Sequence, residues 1–157
     1  MKIVELVEPD KKELAQIRKL FNEYVADLGV NLDFQDFQSE LKELPGKYTP
    51  PTGALFAVKD DNNYCGCVAL KALSEDICEL KRLYVKPQCR GRALGRKLMG
   101  TALNKAVQLD YQFIRLDTLK SLTPALNLYH SFGFYEIDSY NGNPLSEAVF
   151  LEKKLSV

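Results

Sequence analysis

A chain of 157 residues, 46% hydrophobic and 27% charged, has the size and composition of one globular domain, and 1–157 is read as such. Its 21 Lys and Arg residues balance 21 Asp and Glu, which removes the bulk charge that a general nucleic-acid-binding role needs. No apolar run approaches the about 18 residues that span a bilayer, and Glu5 and Glu8 fall where a signal peptide is apolar, so a cytoplasmic location with no membrane partner is expected.

Residues 2–8 alternate loosely between apolar and polar and predict a first strand. Asp10 caps a helix whose apolar residues Leu14, Ile17, Phe21, Tyr24 and Leu28 recur at spacings of three or four or their sums, and Gly29 ends it. A second helix is expected over 34–44, opened by Asp33 and stopped by Pro45-Gly46, with a loop over 48–53. Strands at 54–59, 64–73 and 77–85 are separated by short polar turns, which predicts antiparallel hairpins. A helix over 91–109 places Leu94, Leu98, Ala102, Ala106 and Leu109 on one face. A strand at 113–117 follows, then a helix that Pro124 opens and Gly133 closes, then strands at 134–140 and 148–155. The order βααβββαβαββ predicts an α/β domain with a mixed, mostly antiparallel sheet of about seven strands flanked by about four helices. The one strand–helix–strand unit, 77–117, is expected to be a parallel, right-handed crossover.

Cys65, Cys67, Cys78 and Cys89 accompany a single histidine, His130. Cys65-Gly-Cys67 lacks the paired spacing of a zinc site, so the thiols are read as reduced and structural, and no metal is expected. Cys89, beside basic residues, is the one candidate for modest reactivity.

The charge balance conceals a local excess. Lys81, Arg82, Lys86, Arg90, Arg92, Arg96 and Lys97 crowd one segment, in which a strand runs into a small-residue, arginine-rich turn that opens into a helix. A helix N-terminus carries unpaired N–H groups and about half a positive charge, so cations there oppose the dipole unless an anion lies between them. The turn therefore predicts an anion cradle. It is not a P-loop, since the Lys-Ser/Thr pair is missing, nor a dinucleotide fingerprint.

Arg90-Gly-Arg-Ala-Leu-Gly95 resembles the Gln/Arg-x-x-Gly-x-Gly/Ala motif of the GNAT superfamily of acetyl-CoA-dependent N-acetyltransferases, with Ala93 where an inner glycine is usual. Ala125-Leu-Asn-Leu-Tyr129-His-Ser-Phe-Gly133-Phe134 looks like that superfamily's later Ala-x-x-Leu-Tyr-x-x-x-Gly-Phe segment. The phrases Glu79 to Val85, Leu116-Asp-Thr118 and Tyr140-Asn-Gly-Asn-Pro144 resemble a subgroup of small bacterial-type members of poorly defined substrate. The similarity covers 54–155 well and the N-terminal helices loosely.

That resemblance implies acetyl-CoA as acyl donor. Backbone N–H groups over Gly91, Arg92, Ala93, Leu94, Gly95 and Arg96 would face its pyrophosphate, with Arg90, Arg92 or Arg96 adding charge. The main chain of Leu83, Tyr84 and Val85 would pair with the pantetheine arm. Most amines are protonated at pH 7, so a base is needed. Glu79 occupies the position of the base in histone-type members; Asp117 is a rival, and a water relay stays open. Tyr129 would protonate the leaving thiolate, Asn127 would touch pantetheine or face solvent, and His130 is read as non-catalytic. Lys81, Arg82, Asp117, Tyr140 and Asn143, with Tyr24, Phe34 and Tyr48, are nominated for the acceptor pocket. Lys81 and Arg82 suit an acceptor's carboxylate, and equally a cofactor phosphate or a solvated strand edge. The leading expectation is an enzyme acting on a small amino-acid-like amine. A protein N-terminus or lysine as acceptor, a non-catalytic acetyl-CoA-binding module, and a homodimer all stay open.

Overall fold

A computed structural model describes residues 1–32 and 36–155. Seven strands form one sheet in the order β1-β2-β3-β4-β5-β7-β6. The strands are β1 (Lys2–Glu5), β2 (Ala54–Asp60), β3 (Asn63–Ala72), β4 (Ile77–Val85), β5 (Phe113–Leu119), β6 (Tyr135–Ile137) and β7 (Ala148–Lys154). Every neighbouring pair is antiparallel except β4 and β5. Helices α1 (Lys11–Leu28) and α2 (Phe37–Glu43) cover one face, and α3 (Leu94–Gln108) and α4 (Thr123–Ser131) the other. Strand alternation sorts the core accordingly: Ala54, Phe56 and Val58 pack toward α3, while Leu55 and Ala57 pack toward α1.

Local chemistry sets the helix limits. Asp10 and Glu13 form a reciprocal capping box, at 2.8 and 3.0 Å, that starts α1, and Gly29 at φ +68° ends it. The expected start of α2 at Asp33 and Phe34 lies outside the described residues. The third helix opens at Leu94 rather than residue 91, because Gly91 and Ala93 adopt left-handed φ values of +87° and +57°. The first strand ends at Glu5, where the chain turns toward the Asp10 cap. The strand expected over 134–140 shrinks to three residues. Beyond it the chain enters side-chain turns over 141–145 in which Asn141 Oδ1 accepts from Asn143 N and Asn143 Oδ1 accepts from Leu145 N, both at 3.0 Å.

Two features of β4 create the site. Its ladder with β5 spans only Ile77↔Phe113, Cys78↔Ile114 and Glu79↔Arg115, so beyond Glu79 the strands diverge and leave a gap. Its register against β3 slips by one residue between Cys67↔Tyr84 and Ala69↔Lys81, with Arg82 at φ +60°. Such a bulge inverts the alternation. Cys78, Leu80, Leu83 and Val85 consequently face the α3 side, and both Lys81 and Arg82 turn to the α1/α2 side.

Candidate active site

At the mouth of the gap lies the turn before α3. Ala93 is the N-cap residue and supplies no side-chain hydrogen bond, and the first turn of α3 contains no acid. Gly91 has open space where a Cβ would stand, and Gly95 would meet only Leu128 Cδ2 at 3.7 Å. The α3 N-terminus is thus an exposed, uncapped set of N–H groups suited to an oxyanion. The surrounding arginines are spoken for in different ways. Arg90 donates to Val85 O at 2.9 Å and to Asp27 Oδ2 at 3.1 Å, and lies over the Tyr84 ring. Arg96 donates to Ser131 Oγ at 3.2 Å over Phe132. Arg92 points toward β1, 3.6 Å from Met1 Sδ. Leu94 is buried in the core, so only its main chain reaches the turn.

From the turn, β4 leads into the gap. Leu83 and Val85 are half-buried against the α3 side, and their β5-facing edge has no strand partner. Tyr84 packs beneath α1, edge-on to Tyr24 at 6.3 Å, so its main chain alone is available to the gap. Tyr129 of α4, 7% exposed, and Asp117 of β5 line the same narrow cavity, together with Tyr24, Lys81 and Arg82. The Tyr129 hydroxyl makes no hydrogen bond to another described residue. Burial, with the Tyr24 and Asp117 charges adding to it, pushes its pKa well above the ordinary tyrosine value. Asn127 is exposed on α4. His130 is exposed too, its Nδ1 3.2 Å from Phe134 O.

On the α1/α2 side the gap opens into a chamber of about 220 Å³ lined by residues of α2, β3, β4 and the 141–143 loop. Glu79 is 3% exposed there. Its Oε2 accepts from Tyr140 at 2.6 Å, and its Oε1 lies 3.7 Å from Lys71 Nζ and 3.9 Å from Lys81 Nζ. Tyr140 is clamped between Phe150 and the Arg115 guanidinium, and burial followed by the Glu79 charge pushes its pKa well up. Asp117 Oδ2 accepts from the side-chain amides of Asn141 and Asn143, at 3.1 and 3.0 Å. Burial pulls the Lys81 pKa down, and the neighbouring Arg82 charge adds to that.

Arg82 is committed elsewhere than the acceptor. Its guanidinium grips Glu40 with bonds of 2.9 and 2.6 Å, and Tyr48 donates to the same carboxylate at 3.0 Å. Burial alone would raise the Glu40 pKa, but the Arg82 hydrogen bonds and charge outweigh it and hold it below the usual value. Phe34 lies outside the described residues. Three polar chamber residues escaped the sequence reading: Glu40, Lys71 and Asn141. For Lys71 a signal existed, because the short β3–β4 turn sets it directly opposite Glu79. The four cysteines are free and buried, Cys89 included. Among the described residues no cluster of three or more His, Cys, Asp or Glu is placed to hold a metal, and no helix is long and apolar enough to cross a membrane.

A sequence model of the acetyltransferase (GNAT) family matches residues 14–134. An uncharacterized N-acetyltransferase of Schizosaccharomyces pombe is 36% identical over 147 residues, covering 92% of this chain and 90% of that protein. Among solved structures, an acetyltransferase from Streptococcus agalactiae superposes with a TM-score of 0.82 at 24% identity, covering 98% of both chains. The N-acetyltransferase PseH of Campylobacter jejuni, solved in complex with acetyl coenzyme A, gives a TM-score of 0.66 at 23% identity over 99% of both chains.

Proposed function

The chain belongs to the acetyltransferase (GNAT) family and is an N-acetyltransferase on that ground, and we propose that it moves an acetyl group from acetyl-CoA to the primary amine of a small, amino-acid-sized molecule. One observation carries the reading: a carboxylate and a buried tyrosine from different elements, Asp117 and Tyr129, line one gap between diverging strands. The residues fit the donor, since an uncapped, exposed helix start stands at one end of that gap and an unpaired strand edge runs along it. Bound acetyl-CoA supplies the acetyl group in activated form, as a thioester.

The chain's own groups supply binding, orientation and proton handling. The N–H groups of the first turn of α3 hold the pyrophosphate, and Arg92 and Arg96 flank them. The β4 edge at Leu83 and Val85 orients the arm, with Arg90 holding the Val85 carbonyl in place. The acceptor reaches the gap from the chamber. Asp117, steadied by Asn141 and Asn143 on Oδ2, accepts the amine's proton on Oδ1. Tyr129 is protonated at neutral pH and gives its hydroxyl proton to the sulfur as negative charge builds there, the tyrosinate then recovering a proton from solvent. Burial, which raises its pKa, holds the proton on the hydroxyl until that charge develops. Glu79 is less suited to the base role, with Oε2 capped by Tyr140 and Oε1 beside two lysines; it holds Tyr140 and the lysines in register around the acceptor. The chamber, about 220 Å³, is smaller than the roughly 300–1,000 Å³ of pockets for drug-sized ligands, which favours a small amine over a protein segment.

Release of CoA thiol from acetyl-CoA, followed across a panel of small amines, tests the activity. Asp117→Asn is expected to lower kcat/KM by about 10²–10⁴ and to leave acetyl-CoA affinity unchanged. Glu79→Gln is expected to cost less than about tenfold, since it loses no proton acceptor in the gap. The reverse order of these two effects would return the base role to Glu79.

A further inference from the structure

The chamber carries an imbalance of hydrogen-bonding capacity that acetyl transfer does not itself require. Its acceptors are largely spent. Glu40 receives two bonds from Arg82 and one from Tyr48. Glu79 Oε2 receives Tyr140, leaving Oε1 as the one open carboxylate oxygen between Lys71 and Lys81, and the side-chain carbonyls of Asn141 and Asn143 receive the backbone N–H groups of Asn143 and Leu145. Donors remain. Lys71 Nζ, on a side chain 25% exposed, stands 3.7 Å from Glu79 Oε1, beyond hydrogen-bond reach, and donates to no described residue. The Nδ2 groups of Asn141 and Asn143 each spend one N–H on Asp117 Oδ2 and keep the other. This count leaves Lys81 and Arg82 out entirely.

The Lys71 ammonium and two amide N–H groups thus face one open carboxylate oxygen, so a ligand that fills this space is best matched by acceptors at this end. Resting on the acetyl-transfer reading, we propose that the acceptor is a primary amine carrying a carboxylate, received by Lys71 Nζ and the free N–H groups of Asn141 and Asn143. The two ends of the molecule are then sorted by chemistry. The carboxylate lies at the Lys71 wall, and the amine extends past the 141–143 loop to Asp117, whose Oδ2 the same two asparagines hold. One loop thereby reads the acid and aligns the base. The carboxylate-reading role shifts from the adjacent pair Lys81 and Arg82 to a lysine on the neighbouring strand, because Glu40 occupies the Arg82 fork.

The test uses the whole chain with acetyl-CoA and three matched series: L-amino acids, their carboxamides, and the corresponding decarboxylated amines. At least one amino acid is expected to exceed its carboxamide and its decarboxylated amine by about fiftyfold or more in kcat/KM, the discrimination of a site built to bond a group that the analogue lacks. Lys71→Met should raise KM for that acid about tenfold or more and bring acid and amide together, with the KM for acetyl-CoA unmoved as the check on folding; Lys71→Arg should keep the preference. Equal turnover of amides or simple amines, or a preference that survives Lys71→Met, overturns the carboxylate site alone. If acetyl-CoA binds and no member of any series releases thiol, the transfer reading fails instead, and the carboxylate site falls with it.

Discussion

The two sides of the gap are made of different material. On the α3 side the proposed donor region is backbone: N–H groups of a helix start, a glycine and an alanine at left-handed φ, and an unpaired strand edge. On the α1/α2 side the proposed acceptor region is side chain: a carboxylate held by two asparagines, an Arg–Glu pair, and two lysines beside one glutamate. Backbone sites accept a fixed ligand and tolerate side-chain drift, whereas a network of buried side chains can be retuned one residue at a time. A constant donor and a variable acceptor are what that division suits.

If the division holds, changes on each side should separate cleanly in kinetics. The largest effect is expected from Gly91→Glu, which places a β-carbon at φ +87° and a negative charge beside the helix start. Acetyl-CoA affinity should fall by about a hundredfold or more, roughly 2.8 kcal/mol, while the fold, checked by circular dichroism, persists. Undiminished affinity would remove the cradle from the donor side.

Tyr129→Phe should sharpen the boundary, because the role proposed for Tyr129 lies in the reaction and not in the binding of either partner. We expect kcat to drop by about 10- to 100-fold, with acetyl-CoA affinity held. The sign of its pH dependence follows from its burial. A tyrosine whose pKa is raised stays protonated longer as pH rises, so the alkaline loss of activity due to this group should begin above the ordinary value of about 10. A fall in affinity alone, measured by calorimetry, would make Tyr129 a packing residue.

The smallest effect concerns Ala93. A non-glycine residue at φ +57° is strained by about 1–2 kcal/mol, and glycine there gives back about 0.5–1 kcal/mol through the unfolded chain. Ala93→Gly should therefore raise the urea midpoint slightly and leave acceptor KM untouched. A lower midpoint would mean that the alanine methyl group makes a contact that matters more than its strain.

The same contrast explains what was legible in the sequence. Element order and sheet class were, because hydrophobic period and turn residues are local. The exposed, uncapped start of α3 was too, because a run of arginine and glycine between a strand and a helix marks such a turn locally. Glu40 was not, because it acquires its role through Arg82 on another element; Lys71 was legible only through the short β3–β4 hairpin that sets it opposite Glu79. The bulge hid the rest. Alternation along β4 puts Lys81 and Arg82 on opposite faces, and only the extra residue at φ +60° turns both the same way. Tyr140 was nominated for the pocket, but its bond to Glu79, which weakens Glu79 as a base, depends on a three-residue β6 ending before the 141–143 loop.

A crystal structure with CoA and a carboxylate-bearing amine tests the two-sided site most directly. The pyrophosphate is expected within hydrogen-bond reach of the N–H groups of residues 91–96, the sulfur in the gap beside the Tyr129 hydroxyl, and the amine on the α1/α2 side near Asp117. The contradicting result is CoA seated in the groove between β1 and α3, a cavity of about 650 Å³ lined by Lys2, Arg92, Lys97 and Asn104, with the gap between β4 and β5 closed.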